Sequence, residues 1–311
     1  MQVLRLNSDG TITAVSGSPF AIAANPEAVA GEYLIASTGS GIAAYKIDPG
    51  TGTPTKTSSD VNGGNVAGNS QFVYAGTTNA IYAYALANGQ LQAVPGSPFN
   101  VGTVDPCGCA TPYYNDLAVT QGYLFYADNA DHAGASLGAG KIQSNGSFTA
   151  TSFGSVPSGA NLDVAPNGKF LYEASSATGN AQLFDFDPST GTVQSEGTVE
   201  AMNPGPIDPS STWMFATVDN SQAQGISTYQ INPQSGNLTQ TSLLANYTGK
   251  PIAVDPSGKY LLTFDYPTQT IYAIDVFAID SQTGALTKVN SYSLGSYSST
   301  YSASGFVVGK F

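Results

Sequence analysis

The chain has a single arginine (Arg5), a single histidine (His132) and a single tryptophan among 311 residues. Nine lysines and arginines face 21 acidic residues, for a formal net charge of −12. A nucleic-acid backbone is bound by neutralising its phosphates with a basic surface, and this composition excludes it. The same shortage of cations argues against anionic lipid surfaces and polyphosphorylated substrates, although one small anion needs only one local cation. No apolar run approaches the ~20 residues that a membrane-spanning helix requires. Cys107 and Cys109, in DPCGC, are the only cysteines and too few for a disulfide framework. A lone histidine also makes a Ser-His-Asp triad hard to assemble, and no H-E-x-x-H or C-x-x-C motif is present.

The residues that are plentiful point the other way. There are 35 glycines, 18 prolines and 18 tyrosines, with only 10% of residues charged. This is the composition of short strands joined by turns. The 41% hydrophobic content falls in regular clusters, which excludes disorder. AVSGSPF at 14–20 returns as AVPGSPF at 93–99, so an internal period is expected. Seven turns share one pattern: NSDGTI, DPGTGTP, LANGQL, QSNGSF, DPSTGTV, NPQSGNL and DSQTGAL. Their glycines are Gly10, Gly52, Gly89, Gly146, Gly191, Gly236 and Gly284, where a hairpin needs positive φ.

Each turn follows an alternating strand such as IAAYKID or AQLFDFD, with one wet and one dry face. Earlier in each unit lies a continuous apolar run, such as YLIAS, FVYAG, YLFYAD, FLYEAS, WMFATVD, YLLTFD or GFVVGK, suited to a strand buried on both faces. Adding an inner and an outer strand gives four antiparallel strands about every 45 residues, which is a propeller blade. The expectation is therefore an all-β chain, 1–311, forming one seven-bladed β-propeller. It begins in the third strand of a unit and ends in the second, so the N- and C-terminal strands share one blade and close the ring, removing two exposed sheet edges. The widest interval, Gly89 to Gly146, places an inserted inter-blade loop at about 100–114.

The blade consensus resembles the YVTN and lactonase-type seven-bladed propellers. The matching stretches are PNGKFLY (166–172), PSGKYLL (256–262), FDFDPSTGTV (184–193), YQINPQSGNLT (229–239) and the two GSPF ends. Some members of this group resemble 6-phosphogluconolactonases, and many are exported propellers with no assigned reaction. Lactonase-type relatives tend to carry an Arg-His pair before the strand leading into P-x-G-K. Here those positions hold Ala160 and Asn161 in one blade and Lys250 and Pro251 in another, so the pattern is absent.

In a four-stranded antiparallel blade, the turn between second and third strands and the linker to the next blade lie on one face, where the inner strands begin. That face is the expected location of a site. Its catalytic candidates are His132 and Asp163. Asn115, Asp116, Asn161, Lys250 and Asp265 are the ligand-binding candidates. Asp128 and Asp131 could hold a metal, and hard oxygen donors of this kind suit Ca²⁺, although no cofactor is required by any motif. Asp in these places also serves simply as a turn former. Cys107 and Cys109 leave three readings open: a local disulfide, a soft-metal pair with His132, and a redox pair. The leading functional expectation is an exported propeller, extracellular or periplasmic after removal of a leader. It would act as a binding or scaffold domain whose tyrosine-rich faces meet a protein or glycan partner. The alternative is a lactonase-like hydrolase acting on a small lactone at the channel mouth. A cytoplasmic location is the alternative to export.

Overall fold

The computed structural model describes residues 1–310 apart from 79, 102–113, 129–134, 157–161, 175–179, 200–202, 221–222, 269–270 and 297–305. Within these residues the chain is entirely β. The N-terminal hairpin pairs β1 (Leu4–Leu6) with β2 (Ile12–Ala14). Six sheets then follow in chain order, each an antiparallel meander. The first is β3 (Ala24–Ala30), β4 (Tyr33–Thr38), β5 (Gly41–Ile47) and β6 (Pro54–Lys56). The second is β7 (Val66–Gly68), β8 (Phe72–Gly76), β9 (Ile81–Ala87) and β10 (Gln90–Ala93). The third is β11 (Tyr114–Thr120), β12 (Tyr123–Asp128), β13 (Ala135–Ile142) and β14 (Phe148–Val156). The fourth is β15 (Leu162–Val164), β16 (Phe170–Ala174), β17 (Ala181–Asp187) and β18 (Thr192–Val199). The fifth has three strands, β19 (Trp213–Asn220), β20 (Ala223–Ile231) and β21 (Leu238–Ala245). The sixth is β22 (Lys250–Val254), β23 (Tyr260–Thr268), β24 (Ile271–Ile279) and β25 (Leu286–Ser296). These are six propeller blades.

The apolar second strands are the core, as their sequences require. Every residue of β8 and β16 is buried. Alternate residues of a second strand serve opposite interfaces. Phe170 and Tyr172 pack toward the fifth blade with Met214 and Tyr229, while Leu171 packs toward the third with Phe125 and Leu137. Blade-to-blade register is set by one repeated contact. The turn glycine of each blade seats on the first residue of the preceding blade's second strand: Gly89 on Tyr33, Gly146 on Phe72, Gly191 on Tyr123, Gly236 on Phe170 and Gly284 on Trp213. Gly146 shows why only glycine serves. Its φ is +85°, and a Cβ would stand 2.5 Å from the Phe72 ring. Its carbonyl also accepts the buried Tyr74 hydroxyl at 2.9 Å.

Two expected strands differ. Among the described residues the fifth blade has no inner strand, only an isolated bridge between Ile207 and Met214. The segment carries Pro204, Pro206 and Pro209, and each proline removes a ladder donor. At the C-terminal end, GFVVGK was expected as a second strand, but residues 306–310 carry no strand assignment. Phe306 and Val308 instead pack on the sixth-blade cluster beside Leu4 and Leu6, and Val307 packs on the first-blade cluster beside Met1. The proposed inserted loop falls almost wholly in 102–113, outside the described residues.

Candidate active site

Inner strands of successive blades lie side by side, with β3 beside β7, β7 beside β11 and β11 beside β15. Side chains at their starting ends therefore face one another across blade boundaries. Asp116 sits at a register shift in β11 between Tyr114 and Asp116. Such an irregularity re-aims a side chain out of the pleat. The Asp116 carboxylate crosses to the next blade, where Oδ2 accepts the Leu162 backbone N–H at 2.6 Å. Asp163 is the next residue along β15, paired with Tyr172. The sequence-predicted residues Asp116 and Asp163 are thus brought together, although 46 residues separate Asp116 from its Leu162 partner.

The electrostatics of the pair are distinctive. Burial pushes the Asp116 carboxyl up to about 6, a rise opposed by the Leu162 N–H. Burial pushes Asp163 higher, to about 8, and the neighbouring Asp116 charge adds to it. Asp163 is nonetheless not sealed off: it keeps part of its surface accessible. Asp163 holds its proton to a higher pH than Asp116. Like charges forced together, in a site that desolvates both, commonly divide acid and base roles in this way.

Lys250 and Asp265 lie elsewhere, on adjacent strands of the sixth blade, and are not joined. Lys250 opens β22 opposite Phe264, the residue before Asp265. Lys250 is exposed, and Asp265 is buried with a hydrogen bond from Thr248 Oγ1 at 2.9 Å. Among the described residues, no hydrogen bond or ion pair joins either residue to Asp116 or Asp163. Asn115 and Asp128 lie on the backbones of β11 and β12, but their side chains fall outside the described residues. So do Asn161, Asp131, His132, Cys107 and Cys109 entirely. Among the described residues no group of three or more His, Cys, Asp or Glu side chains has the arrangement of a metal site.

Three acidic groups escaped sequence reasoning. Glu27, at a register shift in β3, accepts the Ser37 hydroxyl at 2.6 Å, and burial raises its carboxyl. Glu173 is fully buried in β16, and neither of its oxygens has a partner in the described structure. Burial pushes it up to about 8. Asp275 is fully buried in β24, where one oxygen accepts Tyr247 Oη at 2.9 Å and Lys288 Nζ at 2.6 Å. The only forewarning was a charged residue inside an apolar or alternating run, as in FLYEA. A G-x-S-x-G pattern occurs at 134–138, but Ser136 lies within β13 opposite Asp128, not at the strand-to-helix turn that gives this motif its chemistry.

The family model described as lactonase, 7-bladed β-propeller matches residues 139–248 and 207–301. Solved structures share the fold over nearly the whole chain. A candidate 6-phosphogluconolactonase from Bacteroides uniformis is 20% identical, with a TM-score of 0.72, covering 94% of this chain and 92% of its own. A periplasmic gluconolactonase from Pseudomonas aeruginosa is 17% identical, with a TM-score of 0.68 and coverages of 95% and 92%. A protein from Lactobacillus plantarum is 15% identical, with a TM-score of 0.70 and coverages of 94% and 91%. No curated protein matches the chain significantly.

Proposed function

The chain belongs to the lactonase seven-bladed β-propeller family, and from that premise we propose that it hydrolyses a small, uncharged sugar-type lactone at the mouth of the channel. The observation that carries this reading is the Asp116–Asp163 pair, two coupled carboxyls on neighbouring inner strands. Asp116, ionised, takes a proton from water as the water oxygen attacks the lactone carbonyl. Asp163, protonated, gives its proton to the ring oxygen as the C–O bond breaks. The product is a hydroxy acid, and one water is consumed. General acid and base groups contribute most when their pKa values lie near the working pH, and this pair straddles neutrality. A phosphorylated substrate is disfavoured, because the only arginine binds the carbonyls of Pro49 and Gly50.

The family and the neighbouring structures favour this reading over a binding scaffold. The seat of each turn glycine on the preceding blade supports a seventh blade. Gly10 of the N-terminal hairpin lies against Tyr260 of the sixth blade, and Gly52 of the first blade lies against Val15. The hairpin occupies the place of a blade, and 306–310 packs beside it. The periplasmic relative supports export.

The test is base consumption by pH-stat over a panel of γ- and δ-lactones of sugars. Turnover is expected, with kcat/KM rising as Asp116 ionises near pH 6 and falling as Asp163 ionises near pH 8. Asp163→Asn should lower kcat by about 10²-fold or more and remove the alkaline limb. No turnover above the uncatalysed rate would return the protein to the binding class.

A further inference from the structure

A concavity lies between the first two blades, at the end of the blades that carries the β4–β5 turn and the linker to the second blade. Its volume is about 330 Å³ and its walls include Ser40, Asp60, Asn62, Tyr82, Tyr84 and Ser97. Four separate pieces of chain build it, Ser97 coming from the segment after β10. Ser40 sits in the turn between β4 and β5, Asp60 and Asn62 in the linker to the second blade, and the tyrosines two residues apart on β9. Residues two apart on a strand share a face, and here the two rings stack in parallel, 6.4 Å between centroids and 7° between planes. Tyr84 is the buried member, 4% exposed, and its hydroxyl donates to the Asn62 carbonyl at 2.6 Å. That bond fixes both the linker and the ring behind Tyr82. Tyr82 keeps accessible surface. It is a rigid flat wall, buttressed from behind, at little cost in side-chain entropy.

The polar groups around this wall are arranged for uncharged partners. Asp60 accepts Lys56 Nζ at 2.6 Å and Ser40 Oγ at 2.6 Å, so its charge is already balanced while each oxygen retains lone-pair capacity. Ser97 Oγ accepts the Ala83 N–H at 3.0 Å, which leaves its O–H to donate. The Asn62 amide, exposed at the rim, offers a donor and an acceptor. A flat aromatic face, a neutralised carboxylate and several hydroxyl-scale donors and acceptors describe the complement of a pyranose, which has a C–H face and a girdle of hydroxyls. A nucleotide or other polyanion would meet a chain of net charge −12 with one local cation, itself already paired. A purely apolar ligand would leave the polar groups unanswered.

We propose that this groove binds a neutral pyranose unit of a glycan, stacked on Tyr82 and hydrogen-bonded to Asp60, Asn62 and Ser97. The site is separate from the Asp116–Asp163 pair and does not depend on lactone opening. It would hold the protein on a saccharide while the channel remains free.

Saturation-transfer NMR on the whole protein tests it, with methyl α-D-glucopyranoside, maltotriose and cellotriose as probes. Transfer to at least one probe is expected, with pyranose ring protons saturated most strongly. Tyr82→Ala should weaken that binding about tenfold, whereas Tyr82→Phe and Asp163→Asn should leave it intact. Asp60→Asn, which touches no core residue, should weaken it several-fold and keeps the test open should Tyr82→Ala fold poorly. The proposal is overturned by absence of transfer to all three probes at millimolar concentration. It is equally overturned by binding that Tyr82→Ala and Asp60→Asn leave unchanged, or by binding lost in Asp163→Asn, which would place the sugar in the channel.

Discussion

Glu173 shows how much a single residue can cost a fold. Its side chain has no exposure, and both oxygens lack partners in the described structure. A buried, unpaired carboxyl avoids the cost of burying a charge by holding its proton, which is why burial lifts it from 4.5 to about 8. The sign of the pH effect follows. Below pH 4.5 folded and unfolded states both carry the proton, and the group exacts no pH-dependent penalty. Between pH 4.5 and about 8 the folded state holds a proton that the unfolded state releases, so stability falls as pH rises. Glu173→Leu, which matches its cross-strand partner Leu162 and Leu171 two residues before it, should raise stability at pH 7 by about 1–3 kcal/mol. The gain should be smallest below pH 4.5 and grow toward pH 8. Urea unfolding at pH 4.5, 6 and 8 measures it, and a gain independent of pH would show that Glu173 does not titrate in this window. The residue was visible in FLYEA as a charge within an apolar run, but its isolation was not. Sequence reveals a residue's own strand, whereas its partners come from the neighbouring strands and blade.

At the scale of elements, the turn glycines were the most legible feature. Their spacing in the sequence carried the position of each hairpin, because a positive φ is a local demand that few residues other than glycine meet. All seven indeed have positive φ. Their second role was hidden: each also holds a blade against its predecessor. Gly146 and Gly197 separate the two roles. Both have positive φ, +85° and +97°, but a Cβ on Gly146 would collide with Phe72, and one on Gly197 would meet nothing within 4 Å. Gly197→Ala should therefore cost only the backbone term of about 1–2 kcal/mol. Gly146→Ala should cost about 2–5 kcal/mol, because overpacking adds a further 1–3. Denaturant midpoints of the two variants decide this, and equal losses would mean that the aromatic seat yields freely. The fifth blade teaches the opposite lesson. Its missing inner strand was legible in the three prolines of NPGPIDP, but an apolar Trp-Met-Phe run nearby drew the repeat pattern through it. The Asp116–Asp163 pairing was half legible: each aspartate marks the start of an inner strand, but only the adjacency of β11 and β15 puts them in one site.

For the whole molecule, the decisive question is whether the N-terminal hairpin is an appendage or a structural member of the ring. Open repeat arrays hold their ends by one interface only, and end units fray independently. Here the hairpin meets neighbours on both sides. On one side Tyr260 Oη donates to the Ser8 carbonyl at 2.9 Å, the Ile12 N–H reaches Asn290 Oδ1 at 3.3 Å, and Ile12 is buried with Leu262, Ile274 and Val276. On the other side Arg5 binds the carbonyls of Pro49 and Gly50 in the first blade, and Val15 lies against Gly52. If the hairpin is a member of the ring, it cannot leave without opening the ring and exposing two apolar interfaces. Ile12→Ala removes a large buried side chain only twelve residues from the start of the chain. If the ring is closed through the hairpin, the loss should be about 2–4 kcal/mol and should appear in the single global transition, with Trp213 fluorescence in the distant fifth blade shifting to the same lower midpoint as far-UV circular dichroism. If the hairpin is an appendage, hydrogen exchange of residues 4–14 should accelerate while the Trp213 midpoint stays where it was. The first outcome makes the hairpin the seventh blade's contribution to stability. The second would leave a ring of six blades to account for the fold unaided.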